Sequence, residues 1–293
     1  KESVGIFVST SKASAINRGT ILIEEEKSAG MYGDEANIEN TGTSTNLVAS
    51  ITTKKDESAG MYVKNSNATN KKKITIEGKN SAGILVEMKQ GLTVVDRNIS
   101  GTNDIADNST TDLVNGKIEI KNEKSAGIYG IVDASVTSTN STLNLFNKKT
   151  ISVDTGKSVG MMLTNKSVNV TKSNVKGVNT GTITLKAGST NQDNIGILAN
   201  EKATGINEKI INVNSKSSVA MLAKLGSSLE NNTSSGNINL NAEDGIGMLA
   251  DGKDANNNIS TATNNAKITA IATAKRSLGM LAQNNGKAEN NKS

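Results

Sequence analysis

The chain has 293 residues and contains no histidine, cysteine, proline or tryptophan. The absence of histidine excludes a Ser-His-Asp triad and removes the commonest metal ligand, and the absence of cysteine excludes thiolate nucleophiles, disulfides and thiolate zinc sites. The net charge of +5 arises from 33 basic and 28 acidic residues; they are scattered rather than gathered into a basic block, so nucleic acid is not an expected partner.

The composition favours an elongated fold. Hydrophobic residues make up 34% of the chain, and its aromatic residues are two phenylalanines and three tyrosines. This is too lean for a large globular core, yet isoleucine, valine and leucine are placed too regularly for a disordered chain. A rod with a thin aliphatic core satisfies both facts.

One motif recurs along the whole chain: a serine, a small residue, a glycine, a methionine or isoleucine, and then a large apolar or aromatic residue. Its copies lie about 30 residues apart, and the later ones have drifted. They begin at Ser3, Ser28, Ser58, Ser81, Ser125, Ser158, Asn194, Ser218, Gly245 and Ser277.

A second element, Ile-x-Ile or a close variant, precedes most copies at nearly constant distance, as at Ile21–Ile23 and Ile74–Ile76. Its period of two and its β-branched residues indicate a half-buried strand. In the motif, the second, fourth and sixth positions are apolar, which predicts another strand whose serine and glycine point the other way. The glycine at the third position predicts a bend or a close backbone approach. Each repeat is therefore predicted to be a strand, a tight corner and a strand.

A pair of short strands cannot bury its apolar face alone, but stacked copies can, at roughly 4.8 Å per rung. We therefore predict an all-β solenoid of about ten rungs with variable loops, forming a single continuous segment over residues 1–293. The fifth motif position then forms one column, in which the aromatic side chains stack. Because the chain starts at Lys1 without an initiator methionine or a signal peptide, we expect it to be a fragment of a longer chain.

The connectors are rich in Asn, Ser, Thr, Lys and Gly, and we predict turns and solvated loops there. The longest connector, residues 87–115, is predicted to hold an extra strand at Leu92–Val95 and a protruding loop. Because loops of variable length carry function on such scaffolds, this connector is the candidate ligand-binding site. Replacing it with a short Asn-Gly turn is expected to remove binding and leave thermal stability nearly intact. Its candidate contact residues are Asp96, Arg97, Asn103 and Asp104.

The best-matched repeats are Asn115–Ile120 leading to Ser125–Tyr129, and Gly19–Ile23 leading to Ser28–Tyr32. With the proline-free composition rich in Lys and Asn, they resemble the passenger region of large fusobacterial type V autotransporter adhesins, the RadD-like group, over essentially the whole chain. The resemblance implies a right-handed parallel β-helix at the bacterial cell surface, carried on an outer-membrane β-barrel outside this fragment. It also implies adhesion to a protein or glycan receptor on host cells or on other bacteria.

Two other functions remain open. The segment could be a passive stalk whose ligand-binding tip lies elsewhere in the parent chain. Parallel β-helices also host polysaccharide-degrading enzymes, and glycoside hydrolysis needs two carboxylates about 5–9.5 Å apart across one cleft. The densest acidic group is predicted at solvated turns and comprises Glu243, Asp244, Asp251 and Asp254. We therefore expect a non-catalytic protein with no cofactor and no metal.

A trimeric adhesin head of short β-rolls is a further fold alternative, although its repeat would be about half as long.

Overall fold

The computed structural model describes residues 2–10, 13–41, 49–89, 98–103, 116–136, 141–167, 175–232 and 235–292. Within these residues the chain forms three parallel sheets and no helix. The chain passes from the first sheet to the second and the third, and then returns to the first sheet one rung further along. The fold is therefore a right-handed parallel β-helix, as predicted.

The first sheet has ten strands: β1 (Val4–Ser9), β4 (Ala29–Asp34), β7 (Ala59–Lys64), β10 (Ala82–Met88), β13 (Ala126–Val132), β16 (Val159–Asn165), β19 (Ile195–Asn200), β22 (Val219–Lys224), β25 (Ile246–Asp251) and β28 (Leu278–Gln283). The second sheet also has ten: β2 (Ser14–Asn17), β5 (Asn37–Asn40), β8 (Ala68–Asn70), β11 (Asn98–Asn103), β14 (Thr142–Asn147), β17 (Val175–Asn179), β20 (Thr204–Asn207), β23 (Ser228–Asn231), β26 (Thr261–Asn264) and β29 (Lys287–Asn290). The third sheet has nine: β3 (Thr20–Ile23), β6 (Ser50–Thr53), β9 (Lys73–Ile76), β12 (Lys117–Ile120), β15 (Thr150–Val153), β18 (Thr182–Leu185), β21 (Ile210–Val213), β24 (Asn237–Leu240) and β27 (Lys267–Ala270).

Neighbouring rungs pair in register, so each motif position lies beside the same position of the next rung. Met31 pairs with Met61, and Tyr32 with Tyr62. The rings of the two tyrosines are stacked, with centroids 4.8 Å apart. The predicted column at the fifth motif position is therefore confirmed.

The core is a thin column of aliphatic side chains that runs along the rod. The fourth motif position is fully buried, as at Met61 and Met161, and so are both isoleucines of the Ile-x-Ile element, as at Ile74 and Ile76. These side chains belong to one hydrophobic cluster. Burying such side chains is worth about 1.5–3 kcal/mol each, and stacking lets every rung use the faces of its neighbours.

The third-position glycines face this core, contrary to the predicted phase of the motif. A Cβ atom on Gly127 would lie 2.7 Å from the carbonyl oxygen of Gly160 and 2.8 Å from Cγ2 of Ile151, a core side chain. The predicted close backbone approach is therefore confirmed. The second position, represented by Ala126, lies instead on the outer face beside the fifth position, Tyr129.

The motif serines also form a ladder. The backbone N–H of Ser81 donates to Oγ of Ser125 in the next rung at 3.1 Å, and that hydroxyl donates in turn to the carbonyl oxygen of Gly78 at 3.1 Å. A serine at the first position thus satisfies a buried backbone donor and a carbonyl in one step.

The second sheet is a correction to the predicted two-strand rung, because its strands come from connectors that were expected to be loops. Strands such as β8 hold too few aliphatic residues to give a clear period of two. Each strand instead ends in an asparagine, and in every strand but the last its Nδ2 donates to Oδ1 of the asparagine in the next rung, as Asn147 does to Asn179 at 2.7 Å. We call this column the asparagine ladder; it comprises Asn17, Asn40, Asn70, Asn103, Asn147, Asn179, Asn207, Asn231, Asn264 and Asn290.

Candidate functional site

A groove with a volume of about 630 Å³ runs along the outer face of the first sheet, perpendicular to its strands. Second-position residues form its floor, fifth-position residues form one wall, and the residues that precede the motif serines form its opposite rim. We call it the alanine trough. The floor comprises Ala29, Ala59, Ala82 and Ala126; the wall includes Tyr32, Tyr62, Leu85, Tyr129 and Met162; the rim includes Lys27, Glu57, Asn80, Lys124 and Lys157.

The trough exists where the second motif position is alanine, and it ends where that position is branched. Val4 and Val159 occupy the position at its two ends, and the next rungs carry Ile195, Val219 and Ile246 there. The branched side chains fill the space that alanine leaves open. From Val4 to Val159 there are five rung intervals, so the trough is roughly 24 Å long at about 4.8 Å per rung.

The rim is built by a column of residues in the left-handed backbone region, which is uncommon for residues other than glycine. The φ angles of Lys27, Glu57 and Lys124 are 56°, 58° and 59°. These residues close the tight corner that leads into each first-sheet strand. The same corner recurs in each rung from Lys27 to Lys157, so it brings the rim side chains into one line beside the floor.

The charges of the rim are partly paired. The Nζ atom of Lys27 lies 3.7 Å from Oε2 of Glu57. Lys124 and Lys157 are exposed, and no ion pair within the described ranges involves either of them. Glu123, which feels the field of both lysines, is paired with Lys79 at 2.8 Å. One half of the rim is therefore cationic.

The wall presents carbon rather than polar atoms to the trough. The ring of Phe7 packs on that of Tyr32 with centroids 5.4 Å apart, and Tyr32 stacks on Tyr62. The hydroxyl of Tyr62 donates to Glu87 at 2.5 Å, and Glu87 lies outside the trough. Burial raises the pKa of Tyr62, and the hydrogen bond to Glu87 raises it further. This hydroxyl stays protonated and is already engaged.

Of the predicted contact residues, Asp96, Arg97 and Asp104 lie outside the described residues, as does the predicted strand at Leu92–Val95. Asn103 is described, and its placement in a loop was wrong. It ends β11, is fully buried and donates from Nδ2 to Oδ1 of Asn147 at 2.9 Å. Asn103 cannot touch a ligand there, since its amide is a link in the asparagine ladder.

The acidic group considered from the sequence is dispersed among basic and amide partners. Asp244 receives two hydrogen bonds from Arg276, at 2.7 and 2.8 Å. Oδ2 of Asp251 lies 3.8 Å from Nζ of Lys224. The carboxylate of Asp254 accepts hydrogen bonds from the backbone N–H and from Nδ2 of Asn258. Over the described part of the chain, no group of three or more acidic side chains is placed to hold a metal ion.

No protein-family model, curated protein or solved structure matches this chain. Among the described residues, no helix is long and apolar enough to cross a membrane.

Proposed function

We propose that this chain is a non-catalytic segment of a bacterial surface adhesin of the autotransporter passenger type. In this proposal the β-helix is a rigid rod at the outer surface of the cell. It presents the alanine trough to a partner on host cells or on other bacteria. The observation that carries the proposal is a continuous apolar groove on the outer face of a rod whose other outer side chains are largely polar.

The physical support is preorganisation. Ordered rungs fix the floor alanines and the stacked tyrosines, so little side-chain entropy is lost when a ligand binds. Exposed apolar surface on a protein commonly marks an interaction site. The trough residues lie outside the hydrophobic core cluster, which is filled from the opposite face of the same strands.

The alternatives have less support. In the enzyme alternative two carboxylates would face one cleft, but Glu57, one of the two acidic side chains lining the trough, is paired with Lys27. A passive stalk would carry no ligand on these rungs.

The test is binding of the labelled chain to host cells and to partner bacteria, with a variant whose trough is filled. The double variant Ala59→Ile/Ala82→Ile places isoleucine where Ile195 and Ile246 already stand in other rungs, so we expect it to fold. Val219→Ile is the matched control, since it enlarges the same motif position outside the trough. We expect saturable binding by wild type and by the control, and loss of binding by the filled variant. Equal binding by all three would place the contact elsewhere, and no binding by any would make these rungs a stalk.

A further inference from the structure

The polar groups beside the floor of the trough are already hydrogen-bonded, which limits what can occupy it. Oγ of Ser81 accepts from the backbone N–H of Ser58 at 3.1 Å and donates to the carbonyl oxygen of Lys79 at 2.9 Å. The backbone N–H and C=O groups of the floor strands are hydrogen-bonded to the neighbouring rungs. A polar ligand would lose its water here and gain few partners. The seated part of the ligand is therefore apolar.

The trough is also narrow. The floor residues Ala59 and Ala82 are only 6% and 7% exposed although they line an open groove. A helix with its side chains is about 10 Å wide and could not reach this floor. An extended peptide would lay its backbone amides against floor strands whose own backbone groups are already paired between rungs. A thin, unbranched chain without polar groups satisfies both constraints along a length of roughly 24 Å.

The rim indicates the chemistry of the head group. Lys124 and Lys157 stand together at one end of the trough without an ion-pair partner among the described residues, whereas Lys27 at the other end is paired with Glu57. The electrostatic potential along the rim is thus positive at the end that holds Lys124 and Lys157. An anionic group on the ligand is favoured there, with a strength that depends on salt.

We propose that the alanine trough binds an unbranched aliphatic chain that carries an anionic head group, as in a long-chain fatty acid or an acyl chain of an anionic lipid. The aliphatic chain lies on the alanine floor against the tyrosine wall, and the head group lies beside Lys124 and Lys157. The proposal deepens the proposed function, on which it rests only in taking the trough as the ligand-binding surface.

The protein carries its own reporter for this site. Its three tyrosines, Tyr32, Tyr62 and Tyr129, all line the trough, and the sequence has no tryptophan. Tyrosine fluorescence therefore reports on the trough without labelling. Hexadecanoate with a single bromine at the end of its unbranched chain should quench this fluorescence saturably, because bromine quenches only on contact. Octanoate, which is much shorter than the trough, should bind at least about tenfold more weakly.

Two matched variants test the geometry. Ala59→Ile/Ala82→Ile should bind the brominated hexadecanoate about tenfold more weakly or not at all, while Val219→Ile should match wild type. Lys124→Gln/Lys157→Gln should weaken binding by about threefold per lysine at low salt. That charge variant should not weaken binding of hexadecyltrimethylammonium, which has the same chain and a cationic head group.

The outcomes separate this proposal from the proposed function. If wild type shows no quenching, or if the filled variant is quenched as strongly as wild type, the proposal of an aliphatic ligand is wrong. The adhesive function would still be supported in that case if the filled variant loses binding to cells. Hexadecyltrimethylammonium binding as tightly as hexadecanoate overturns the assignment of the head group. Anionic and uncharged vesicles distinguish the sources of the chain: binding of free hexadecanoate alone indicates a fatty acid, and binding of anionic vesicles as well indicates a lipid.

Discussion

The side-chain amide of Asn103 donates to Oδ1 of Asn147 at 2.9 Å, although the two residues are 44 positions apart in the chain. The preceding link, from Asn70 to Asn103, spans 33 positions at 3.0 Å. The asparagine ladder thus holds a constant geometry across connectors of different lengths. It fixes the register of the second sheet, where aliphatic side chains are few, because a slip of one residue would turn every amide away from its partner.

The first prediction concerns one link of this ladder. Asn147→Leu keeps the branched shape and the number of side-chain heavy atoms but removes the amide that bonds to Asn103 and Asn179, which leaves buried polar groups unsatisfied. We expect a loss of about 2–4 kcal/mol in the free energy of unfolding, measured by urea denaturation. Asn144→Ala is the matched control on the outer face of the same strand and should change stability by less than about 0.5 kcal/mol. Similar losses for both variants would contradict the ladder.

The second prediction tests the phase of the motif with the same substitution at adjacent residues. Met161 is fully buried in the core, whereas Met162 is half-buried on the outer face. Met161→Lys would bury an unpaired charge and is expected to cost about 3–5 kcal/mol or prevent folding. Met162→Lys can keep its charge in water and should cost less than about 1 kcal/mol. Thermal unfolding followed by circular dichroism gives both values, and the reverse order would show that the fourth position faces solvent.

The sequence was sufficient to predict the two sheets whose strands have a clear period of two. The column through Tyr32 and Tyr62 was also predicted, since identical residues at a fixed motif position stack when rungs are in register. The second sheet could not be found in the same way, because its strands are held by asparagine hydrogen bonds, and asparagine is also typical of turns. The recurring asparagine that ends each of these strands was the available signal.

The alanine trough could not be predicted from the motif alone. Its floor depends on the second position lying on the outer face, and a strict alternation of inward and outward residues places that position inside. The break in alternation comes from the close approach of glycines such as Gly127 and Gly160, which only the paired rungs reveal. The contrast between alanine in rungs two to five and Val159 or Ile195 later was visible in the sequence. The sequence did not show that this position lies on the outer face of the strand, so the contrast could not be recognised as a groove and its end.

The third prediction is a pH dependence that arises at Glu119. Its carboxylate lies 2.8 Å from Nζ of Lys73 and 3.0 Å from Nζ of Lys117. Burial alone would raise the pKa of Glu119, but the hydrogen bonds from both lysines lower it to about 2 from its ordinary value of 4.5. Because the folded-state pKa is the lower one, this contribution to stability is present above about pH 4.5 and is lost as the pH falls towards about 2.

Glu119→Gln should therefore be less stable than wild type near neutral pH, by about 1 kcal/mol, because both lysines are partly exposed and solvent screens the pair. The variant should also lose less stability than wild type between about pH 5 and pH 2. Urea denaturation across this range measures both effects. Glu24→Gln removes the same charge at an exposed ion pair with Lys54 and serves as the control. An acid dependence identical in Glu119→Gln and wild type would contradict the assignment.

The last prediction concerns the longest connector, whose replacement was expected to be harmless. Because β11 supplies the second-sheet strand of its rung, replacing Asn98–Asn103 with six Gly/Ser residues removes the acceptor for Asn70 and the donor to Asn147. We expect a large drop in thermal stability, since each orphaned buried group costs about 1–3 kcal/mol and strand pairing to β8 and β14 is lost. Replacing residues 104–109 with the same Gly/Ser segment is the matched control, and it should stay within about 1 kcal/mol of wild type. Equal stability of the two variants would mean that β11 is dispensable and that the rung is closed by the first and third sheets alone.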